Sequence, residues 1–503
     1  MNVLKSLVLG SAAGLVALTG AQAADLPVKA KAVEYVKVCS LYGAGFYYIP
    51  GTDTCLRIGG ALRLDVAFNG NTYDAPFWQG GVGGSNSYNR NYYATRERLN
   101  LFVDTRTATE YGVLRTYANM QFDFSQGREN LSGGYTEVDF AFIQFAGFTL
   151  GKAVSQFDPQ WALSKPTISS AFFGGSNNAT GIPQIAYTWQ FGNGVSGTLS
   201  LESADPYRNA GIVNTSFAFI GPFGSATSGY GTTSNSFLGN AELGNHVPDI
   251  VGNLRVDQAW GSLHFAAAAH EIHGTYYTST DSGSGHPSST WGYALTGAFE
   301  LKNLPTGAAD SLKVEASFAN GAAKYVFGGT VDTNGAGRFA KIGDNGIAFG
   351  YVLDGVYAGT NATNGSSIAK STAWDVSGYY EHYWNPAWRT SVFGSYSQIS
   401  YGSTGDALLS AAANGTLLGT GSFNGTNTGD WKFSIAQVGT RTAWTPVKNL
   451  TLSAEFIYSR LHTNLNGTWT TTGTSVPGVA GGTAYQIKDQ NLYNGAVQII
   501  RSF

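Results

Sequence analysis

Arginines recur on the polar parity of three segments in which polar and apolar residues alternate. The five are Arg57, Arg63, Arg96, Arg98 and Arg115. Glu137 and Asp139 on the polar parity of the next segment, and Lys152 on the segment after it, are predicted to join them. Rings of charged side chains around a water-filled passage select ions through their electric field. We predict that these side chains form the wall of such a passage and act by charge rather than by bond chemistry.

Each arginine could instead only pair with a carboxylate or with water, without any effect on a solute. The acids on neighbouring segments that could serve as partners are Asp65, Asp104, Asp123, Glu137 and Asp139. For any single arginine both interpretations stay open. The clustering of the arginines on adjacent segments favours a shared field.

The segments that must position these residues are typical of β-strands with one face suited to lipid and one suited to water. Leu62 and Leu64 occupy one parity, while Arg63 and Asp65 occupy the other. Transmembrane strands alternate in this way with a period of two. We mark sixteen such strands near 55–68, 92–105, 110–124, 136–145, 148–154, 184–191, 195–203, 250–258, 262–271, 290–302, 311–318, 372–384, 389–400, 430–445, 450–461 and 490–503.

The connections between these strands alternate in length. Short ones, such as 146–147, alternate with long ones, such as 155–183 and 319–371, that are rich in Gly, Ser, Asn and Thr. Short periplasmic turns and long external loops are typical of outer-membrane barrels. The pattern predicts an all-β fold, a 16-stranded antiparallel transmembrane β-barrel. An extra hairpin near 346–355 is an open alternative within the long 319–371 connection.

In two segments the alternation makes a specific prediction about the face on which a side chain lies. In the segment 136–145, the pattern puts Val138, Phe140 and Phe142 on the lipid face, opposite Glu137 and Asp139. In the segment 92–105, Glu97 lies between two arginines and should face outward, where a carboxylate in mid-membrane costs roughly 2 kcal/mol or more. Two explanations are open: the register shifts there, or another subunit covers that face.

The N-terminal part predicts export. A short basic start, an apolar run from Ser6 to Gly20 and the small residues Ala21-Gln22-Ala23 fit a signal peptide over 1–23. An exported chain meets an oxidising compartment. The two cysteines, Cys39 and Cys55, therefore favour a disulfide over free thiols or a metal site. The expected domains are the signal peptide 1–23, a periplasmic segment 24–54 with the disulfide loop, and a barrel over 55–503.

Composition narrows the function classes. Charged residues make up 12% of the chain, aromatic residues 14%, and glycine 67 of 503 residues. Such an aromatic content argues against disorder, and the net charge of −3 gives no basic surplus for nucleic acid. A barrel of sixteen strands is too wide for side chains to fill and leaves an aqueous channel. We expect small polar solutes and ions as partners and no cofactor.

The sequence motifs give little support for metal binding or catalysis. His270 and His273 are three residues apart on a strand and point to opposite faces, so we expect no metal there. An outer-membrane lipase would need a histidine and a serine at the lipid-facing rim, and His264 is its only candidate. A substrate-specific channel or an adhesin is the other rival, because the loops hold aromatic residues. Those aromatic residues are Tyr73, Phe77, Trp78 and Tyr88.

Two stretches resemble the alphaproteobacterial porins of rhizobia and brucellae. The first is residues 33–60, with the core Ile49-Pro-Gly-Thr-Asp-Thr-Cys-Leu56 and its two cysteines, and the second is residues 140–152. The final strand, which ends on Phe503, resembles the last strand of bacterial outer-membrane barrels, in which a terminal aromatic residue is an assembly signal. The chain is thus similar to members of that family along its mature length.

The resemblance implies a homotrimer in the outer membrane of a Gram-negative bacterium, in contact with lipid and lipopolysaccharide. It implies passive diffusion of small hydrophilic molecules as the activity. It also implies that the third long loop, residues 155–183, folds into the lumen as an eyelet. In that loop, Asp158 and Lys165 are the expected charged residues. This loop has a single acidic residue and so differs from a strongly acidic eyelet.

Overall fold

The structure is a computed structural model of the chain. It describes residues 37–70, 88, 91–126, 132–169, 174–176, 180–204, 210–216, 241–242, 244–278, 281–328, 337–414, 421–424, 429–471 and 480–503. The expected signal peptide lies outside the described residues, as do Tyr73, Phe77 and Trp78 of the loop aromatics. The chain divides into two units, residues 1–56 and residues 57–503.

A disulfide lies in the first unit. It joins Cys39 to Cys55, as predicted. Both cysteines are buried and pack with Phe46. A two-residue strand, Tyr47–Tyr48, pairs antiparallel with Cys55 and Leu56. The bridge therefore closes a loop within the segment that precedes most of the barrel wall.

Sixteen antiparallel strands form the barrel wall and are labelled here in chain order. They are β1 (Thr54–Phe68), β2 (Tyr93–Thr109), β3 (Gly112–Gln126), β4 (Ser132–Phe145), β5 (Phe148–Ala153), β6 (Ile182–Gly192), β7 (Val195–Glu202), β8 (Asp249–Gln258), β9 (Gly261–Ile272), β10 (Thr290–Lys302), β11 (Ser311–Asn320), β12 (Thr372–Asn385), β13 (Trp388–Ser400), β14 (Phe433–Val447), β15 (Leu450–Thr463) and β16 (Gln490–Ser502). Each pairs with its neighbours in sequence, and β16 pairs with β1, which closes the barrel. The predicted 16-stranded barrel is confirmed.

Tight turns at one end of the barrel account for its short connections. Between β4 and β5 the turn residues Ala146 and Gly147 both have positive φ, 50° and 88°. A two-residue hairpin loop with that backbone matches the right-handed twist of its strands. Glycine adopts the conformation without a steric penalty, whereas Ala146 is held in it by the surrounding ladder. At the opposite end, the described strands begin and end at the long connections.

The outer face of the barrel is apolar with an aromatic band near each end. Its middle carries exposed aliphatic residues such as Leu64, Leu199, Leu254, Val392 and Ile499. Exposed aromatic residues near the short-turn end include Trp189, Trp260, Trp384, Trp388 and Trp444, and those near the long-loop end include Phe68, Tyr93, Trp291, Trp374 and Tyr493. This is the surface that a bilayer requires of a barrel. Among the helices of the described residues, none is both long and apolar enough to cross a membrane.

A second, smaller sheet is built from the long connections. Its centre is a hairpin of Gly337–Gly343 and Gly346–Tyr357, where an extra hairpin was considered from the sequence. Every residue of Gly346–Tyr357 is buried. It pairs in parallel with Gly211–Asn214 and with Ala484–Ile487. One helix, α1 (Gly402–Asn414), packs beside it.

This inner hairpin lies in the lumen at the long-loop end. Phe349, Val352 and Val356 belong to one buried apolar cluster with Val251 of β8 and Phe433 of β14. Those two wall residues point inward, because the exposed residues of their strands, Ile250 on β8 and Val438 on β14, lie on the opposite parity. The hairpin is therefore inside the barrel rather than an addition to its wall.

A register shift on β4 makes one sequence prediction wrong. Asn119 pairs with Phe140 and Met120 with Val138, so Asp139 is an extra residue on β4. Such a bulge moves the residues after it to the other face. Phe142 therefore lies inside the barrel against Tyr117, with ring centroids 5.4 Å apart, whereas Ile143 is exposed on the outside.

Candidate functional site

The first cluster on the lumen wall joins β16, β1 and β2. Asp65 accepts hydrogen bonds from Arg63 Nε at 2.8 Å, from Arg96 Nε at 3.1 Å and from Gln498 Nε2 at 2.9 Å. The side chain of Arg96 is 3% exposed, whereas that of Arg63 is 22% exposed. Arg96 is thus part of the wall's packing, while Arg63 keeps access to water.

Arg98, Arg106 and Arg115 of this wall are also paired with carboxylates. Arg98 of β2 donates two hydrogen bonds to Asp123 of β3, at 2.6 and 2.8 Å. Arg115 of β3 donates two to Asp104 of β2, at 3.1 and 3.0 Å. Arg106 donates two more to the same Asp104, at 3.2 and 2.9 Å. One carboxylate therefore serves two guanidinium groups.

Glu137 and Asp139 lie on β4, at the edge of this cluster. Lys152 lies on β5, where it pairs with Ala141 and shares the parity of the exposed Leu150, so the register does not place it on the lumen face with the arginines. Asp139 accepts hydrogen bonds from Asn119, at 3.2 Å, and from Gln121. Lys152 Nζ donates to the carbonyl of Val138 at 2.6 Å. The bulge at Asp139 thus holds its carboxylate against amide groups rather than directly against an arginine.

Aromatic rings lie among the arginines near the short-turn end. Phe102, Tyr117 and Phe142 follow one another across β2, β3 and β4, with neighbouring centroids 6.0 and 5.4 Å apart. The Arg57 guanidinium lies over Phe102 at 5.4 Å, and that of Arg115 over Tyr117 at 5.1 Å. Arg57 is therefore brought to the same wall, held by a ring face and exposed to water.

The third long loop enters the lumen, as the resemblance implied. It leaves β5 after Ala153 and contacts inward-facing groups of β7, β8 and β9. Gln156 N donates to Glu202 at 2.8 Å, and Asn253 Nδ2 donates to Gln156 O at 2.7 Å. His264 Nε2 lies 2.9 Å from the carbonyl oxygen of Phe157.

The loop then crosses to the far wall. Trp161 packs edge-to-face on Tyr379 of β12, at 6.1 Å. Ser391 Oγ donates to the carbonyl of Pro166 at 2.6 Å. The backbone N–H groups of residues 168 and 169 donate to the Glu455 carboxylate of β15, at 2.5 and 2.9 Å. The loop therefore runs along the wall from β7 to β15, opposite the arginines of β1 to β3.

Both charged residues expected at the eyelet lie between this loop and the wall. Asp158 is 6% exposed and accepts hydrogen bonds from the backbone N–H and the hydroxyl of Ser176, at 2.6 and 2.8 Å. Burial raises the pKa of the Asp158 carboxyl to about 7. Lys165 Nζ lies 4.0 Å from Glu315 of β11, and both side chains are buried. The sequence did not indicate that these charges are turned away from solvent.

Sequence reasoning missed several basic residues on the lumen wall. Arg106 was placed in a turn, but β2 continues to Thr109 and puts it on the face of Arg96 and Arg98. Arg389 and Arg441 share Glu381, at 3.3 and 2.8 Å. Lys302 and Lys313 share Glu300, at 3.2 and 3.4 Å. The parity of Arg106 with Arg96 and Arg98 was the one signal that could have found it.

Comparison with known proteins gives concordant results. A family model described as "Porin subfamily" matches residues 25–499. Porin Omp2b of Brucella suis biovar 1 (strain 1330) is 35% identical over 273 residues, which cover 52% of this chain and 64% of the relative. Porin Omp2b of Brucella melitensis biotype 1 matches over the same shares at the same identity.

Among solved structures, the outer membrane channel DcaP of Acinetobacter baumannii has a TM-score of 0.56 at 14% identity, over 91% of this chain and 99% of that chain. At that identity the likeness concerns the fold alone. The curated relatives are matched over less than two thirds of their own length.

Proposed function

This chain belongs to the porin family, and on that premise we propose that it forms a water-filled channel for passive diffusion of small hydrophilic solutes and ions. Family and barrel make it an outer-membrane protein of a Gram-negative bacterium. Sixteen strands enclose more space than the side chains of the wall fill. Diffusion down a gradient then needs a passage and no reaction step.

An asymmetry of the lumen supports a passage along the arginine wall. Inward-facing residues of β11 and β12, such as Glu315, Ala319 and Asp375, are at most 1% exposed, because the third loop and the inner hairpin cover them. On the opposite wall, the side chains of Arg106 and Arg115 are 28% and 27% exposed. Further along the same wall, Asp65, Arg96 and Asp123 are at most 3% exposed. The open part of the arginine wall is therefore its short-turn end, and this exposed basic end carries the proposal.

The charge around the short-turn end of the lumen favours anions. Near the short-turn end, the carboxylates of Asp104, Glu300 and Glu381 each lie between two basic side chains. Each such trio keeps one positive charge. Asp158, the sole acid of the third loop, is turned toward the wall. Surplus positive charge in a narrow aqueous passage raises the local anion concentration.

The outer face around Glu97 supports a homotrimer. The ladder between β2 and β3 runs without a shift past Glu97, which pairs with Phe124 and is exposed. Glu97 lies four residues from the aromatic band at Tyr93, roughly 14 Å along the strand. A carboxylate at that depth is costly in lipid, and a covering subunit removes it from lipid. The unshifted β2–β3 ladder gives no support to a register shift at Glu97, the other explanation from the sequence.

The oligomeric state is tested by native mass spectrometry of detergent-extracted protein. Three chains per particle support the homotrimer, and a single chain contradicts it. The variant Glu97→Leu should then keep the barrel but change the fraction of trimer, whereas Glu110→Gln in a short turn should not. Equal trimer fractions for Glu97→Leu and the wild-type chain would argue against an interface at this face.

A substrate preference is the second candidate, favoured by the aromatic row. Phe102, Tyr117 and Phe142 form a row of rings on the lumen wall, with the Arg57 guanidinium over Phe102 and that of Arg115 over Tyr117. A solute with a flat or sugar-like face and a negative charge would gain from both. A lipase is not favoured, because His264 is buried against the third loop instead of lying at the lipid-facing rim.

Single-channel recording in planar bilayers tests the channel and its charge. We expect stepwise conductance and, under a salt gradient, a reversal potential of the sign for anion preference. Steps closing in threes would support three pores per particle. Folded protein that gives no conductance would contradict the proposed passage. Current block by an anionic sugar, but not by a neutral one, would support the substrate preference.

A further inference from the structure

Three side chains from distant parts of the chain converge at the long-loop end of the lumen. They are Glu242 from a long connection, His270 from the inner face of β9 and Asp354 from the buried strand Gly346–Tyr357. Each offers one ligand atom, and these atoms lie within 4.8 Å of one another. Glu242 is 7% exposed, and the other two are fully buried.

The distances in this cluster suit a shared cation better than direct hydrogen bonds. His270 Nε2 lies 3.7 Å from Glu242 Oε1 and 3.6 Å from Asp354 Oδ2, which is too long for a hydrogen bond. Ligand atoms placed tetrahedrally about 2.1 Å from one metal ion are ~3.4 Å apart. Within the part of the chain that the structure describes, His270 Nε2 and Asp354 Oδ2 have no hydrogen-bond partner.

The other nitrogen of the imidazole is already oriented. His270 Nδ1 lies 2.7 Å from Asp249 Oδ1, so Nδ1–H donates to that carboxylate and Nε2 faces Glu242 and Asp354. Asp249 is held in turn by Lys324 Nζ at 2.5 Å and by the Tyr325 hydroxyl at 2.6 Å. A carboxylate that fixes the second nitrogen of a histidine is the usual support of a metal ligand in proteins.

Charge balance points the same way. The cluster contains the carboxylates of Glu242, Asp249 and Asp354 against a single ammonium group, that of Lys324. With a neutral imidazole, two negative charges stay uncompensated in a buried place, which is energetically costly. A protonated imidazole would compensate one of them. A divalent cation compensates both.

We propose that Glu242, His270 and Asp354 bind a divalent transition-metal ion, with Zn²⁺ the best fit. One imidazole nitrogen with two carboxylate oxygens suits zinc and related ions, whereas Ca²⁺ and Mg²⁺ prefer oxygen ligands alone. The ion joins a loop segment, the barrel wall and the inner hairpin. It therefore fastens the hairpin inside the lumen.

Sequence spacing could not reveal this site. His270 and His273 do face apart, as the sequence indicated, and His273 belongs to a different, partly exposed group with His246 and Glu271. The two carboxylates come from connections whose path into the barrel has no periodic signal. The His273 group supplies a matched control, because it contains the same residue types a few residues away.

Zinc binding to the full-length protein in detergent tests the site. The protein is stripped with EDTA, dialysed, titrated with ZnCl₂ and analysed for bound zinc by inductively coupled plasma mass spectrometry. We expect one zinc per chain in the wild type, and at least tenfold weaker binding in Asp354→Asn and in Glu242→Gln. His273→Gln should bind zinc as the wild type does.

Heat-modifiable migration on gels shows that each variant is folded. Because Glu242 lies on a connection and not on the wall, Glu242→Gln serves if Asp354→Asn fails to fold. A wild-type chain that binds no zinc at micromolar concentration would overturn the proposal. So would loss of zinc in His273→Gln with retention in both other variants, which would assign the ion to the surface group.

Discussion

Arg115 and Asp104 form a two-pronged ion pair across β2 and β3, with N–O distances of 3.1 and 3.0 Å. The same carboxylate also binds Arg106. One negative charge thus faces two positive charges on a wall that keeps contact with water. The surplus charge is available to a passing ion, although each arginine is formally paired. The two interpretations considered from the sequence, pairing and field, therefore apply together.

Neutralising one member of this trio should change ion selectivity. Asp104→Asn leaves both arginines unopposed, so we expect a stronger anion preference, roughly twofold in the permeability ratio at 0.1 M salt. Arg115→Gln should shift the ratio the other way. Both effects should shrink at 1 M salt because of screening. Reversal potentials under a salt gradient measure the ratio.

Glu97→Gln is the matched control for this experiment. It removes one carboxylate from the same strand, but from the outer face. Its reversal potential should equal that of the wild type. If Asp104→Asn and Glu97→Gln gave the same shift, a field from the lumen wall would not be the cause.

Arg96 and Arg63 share Asp65 but should differ in their effect on stability. Arg96 is buried, so Arg96→Ala leaves part of the Asp65 charge uncompensated in the wall. We expect a loss of about 2–4 kcal/mol in the free energy of unfolding. Arg63→Ala removes a partly exposed pair and should cost less than about 1 kcal/mol. Guanidinium titration in detergent measures both, and equal losses would contradict the difference in burial.

Glu455 tethers the third loop to the far wall through two backbone N–H groups. Glu455→Ala removes both hydrogen bonds to a charged group, each worth about 1.5–3 kcal/mol. We expect more frequent closures and noisier open currents, because the end of the loop is released into the passage. Ser453→Ala changes an inward-facing residue of the same strand and should leave the recordings unchanged. Quiet currents in Glu455→Ala would show that the other loop contacts suffice.

Asp158 should make stability depend on pH. In the folded protein its pKa is about 7, whereas an unperturbed Asp titrates near 3.9. Between these values the folded state holds a proton that the unfolded chain has released. The stability from this group is therefore full below about pH 4, falls as the pH rises to about 7 and is constant above.

The variant Asp158→Asn removes this titration while it can still accept from Ser176. Its thermal midpoint should vary less between pH 4 and 7 than that of the wild type, and should be the higher of the two at pH 8. Thermal scans in detergent, followed by circular dichroism, measure both curves. Parallel curves would show that Asp158 is already ionised at low pH.

The sequence predicted the barrel well because lipid and water impose the alternation on every wall strand. That requirement alone places Ile499 on the outer face and Arg63 on the lumen face. The prediction from alternation failed at β4, where one extra residue, Asp139, reverses the parity of Phe142. The predicted strand β2 also ended before Arg106, because few apolar residues mark the alternation near the turn.

The candidate site was predicted less completely than the wall. Arg63 and Arg115 lie where the alternation puts them, since a strand fixes the direction of each side chain. Asp158 and Lys165 were expected as the charged residues of the eyelet, but the directions of their side chains could not be predicted, because the course of a loop depends on packing between distant segments. The cluster around His270 could not be predicted for the same reason. Long-range contacts of irregular segments leave no periodic trace in a sequence.

The pairing of β1 with β16 has a consequence for how the chain reaches its native state. Asp65 and Gln498 are 433 positions apart and form one hydrogen bond across that seam. Such long-range contacts make folding slow. Until β16 arrives, β1 and β15 are unpaired edges that can join other chains. A chain that lacks its final strand would therefore be prone to aggregate. The exported protein must be kept from other chains until β16 has paired with β1.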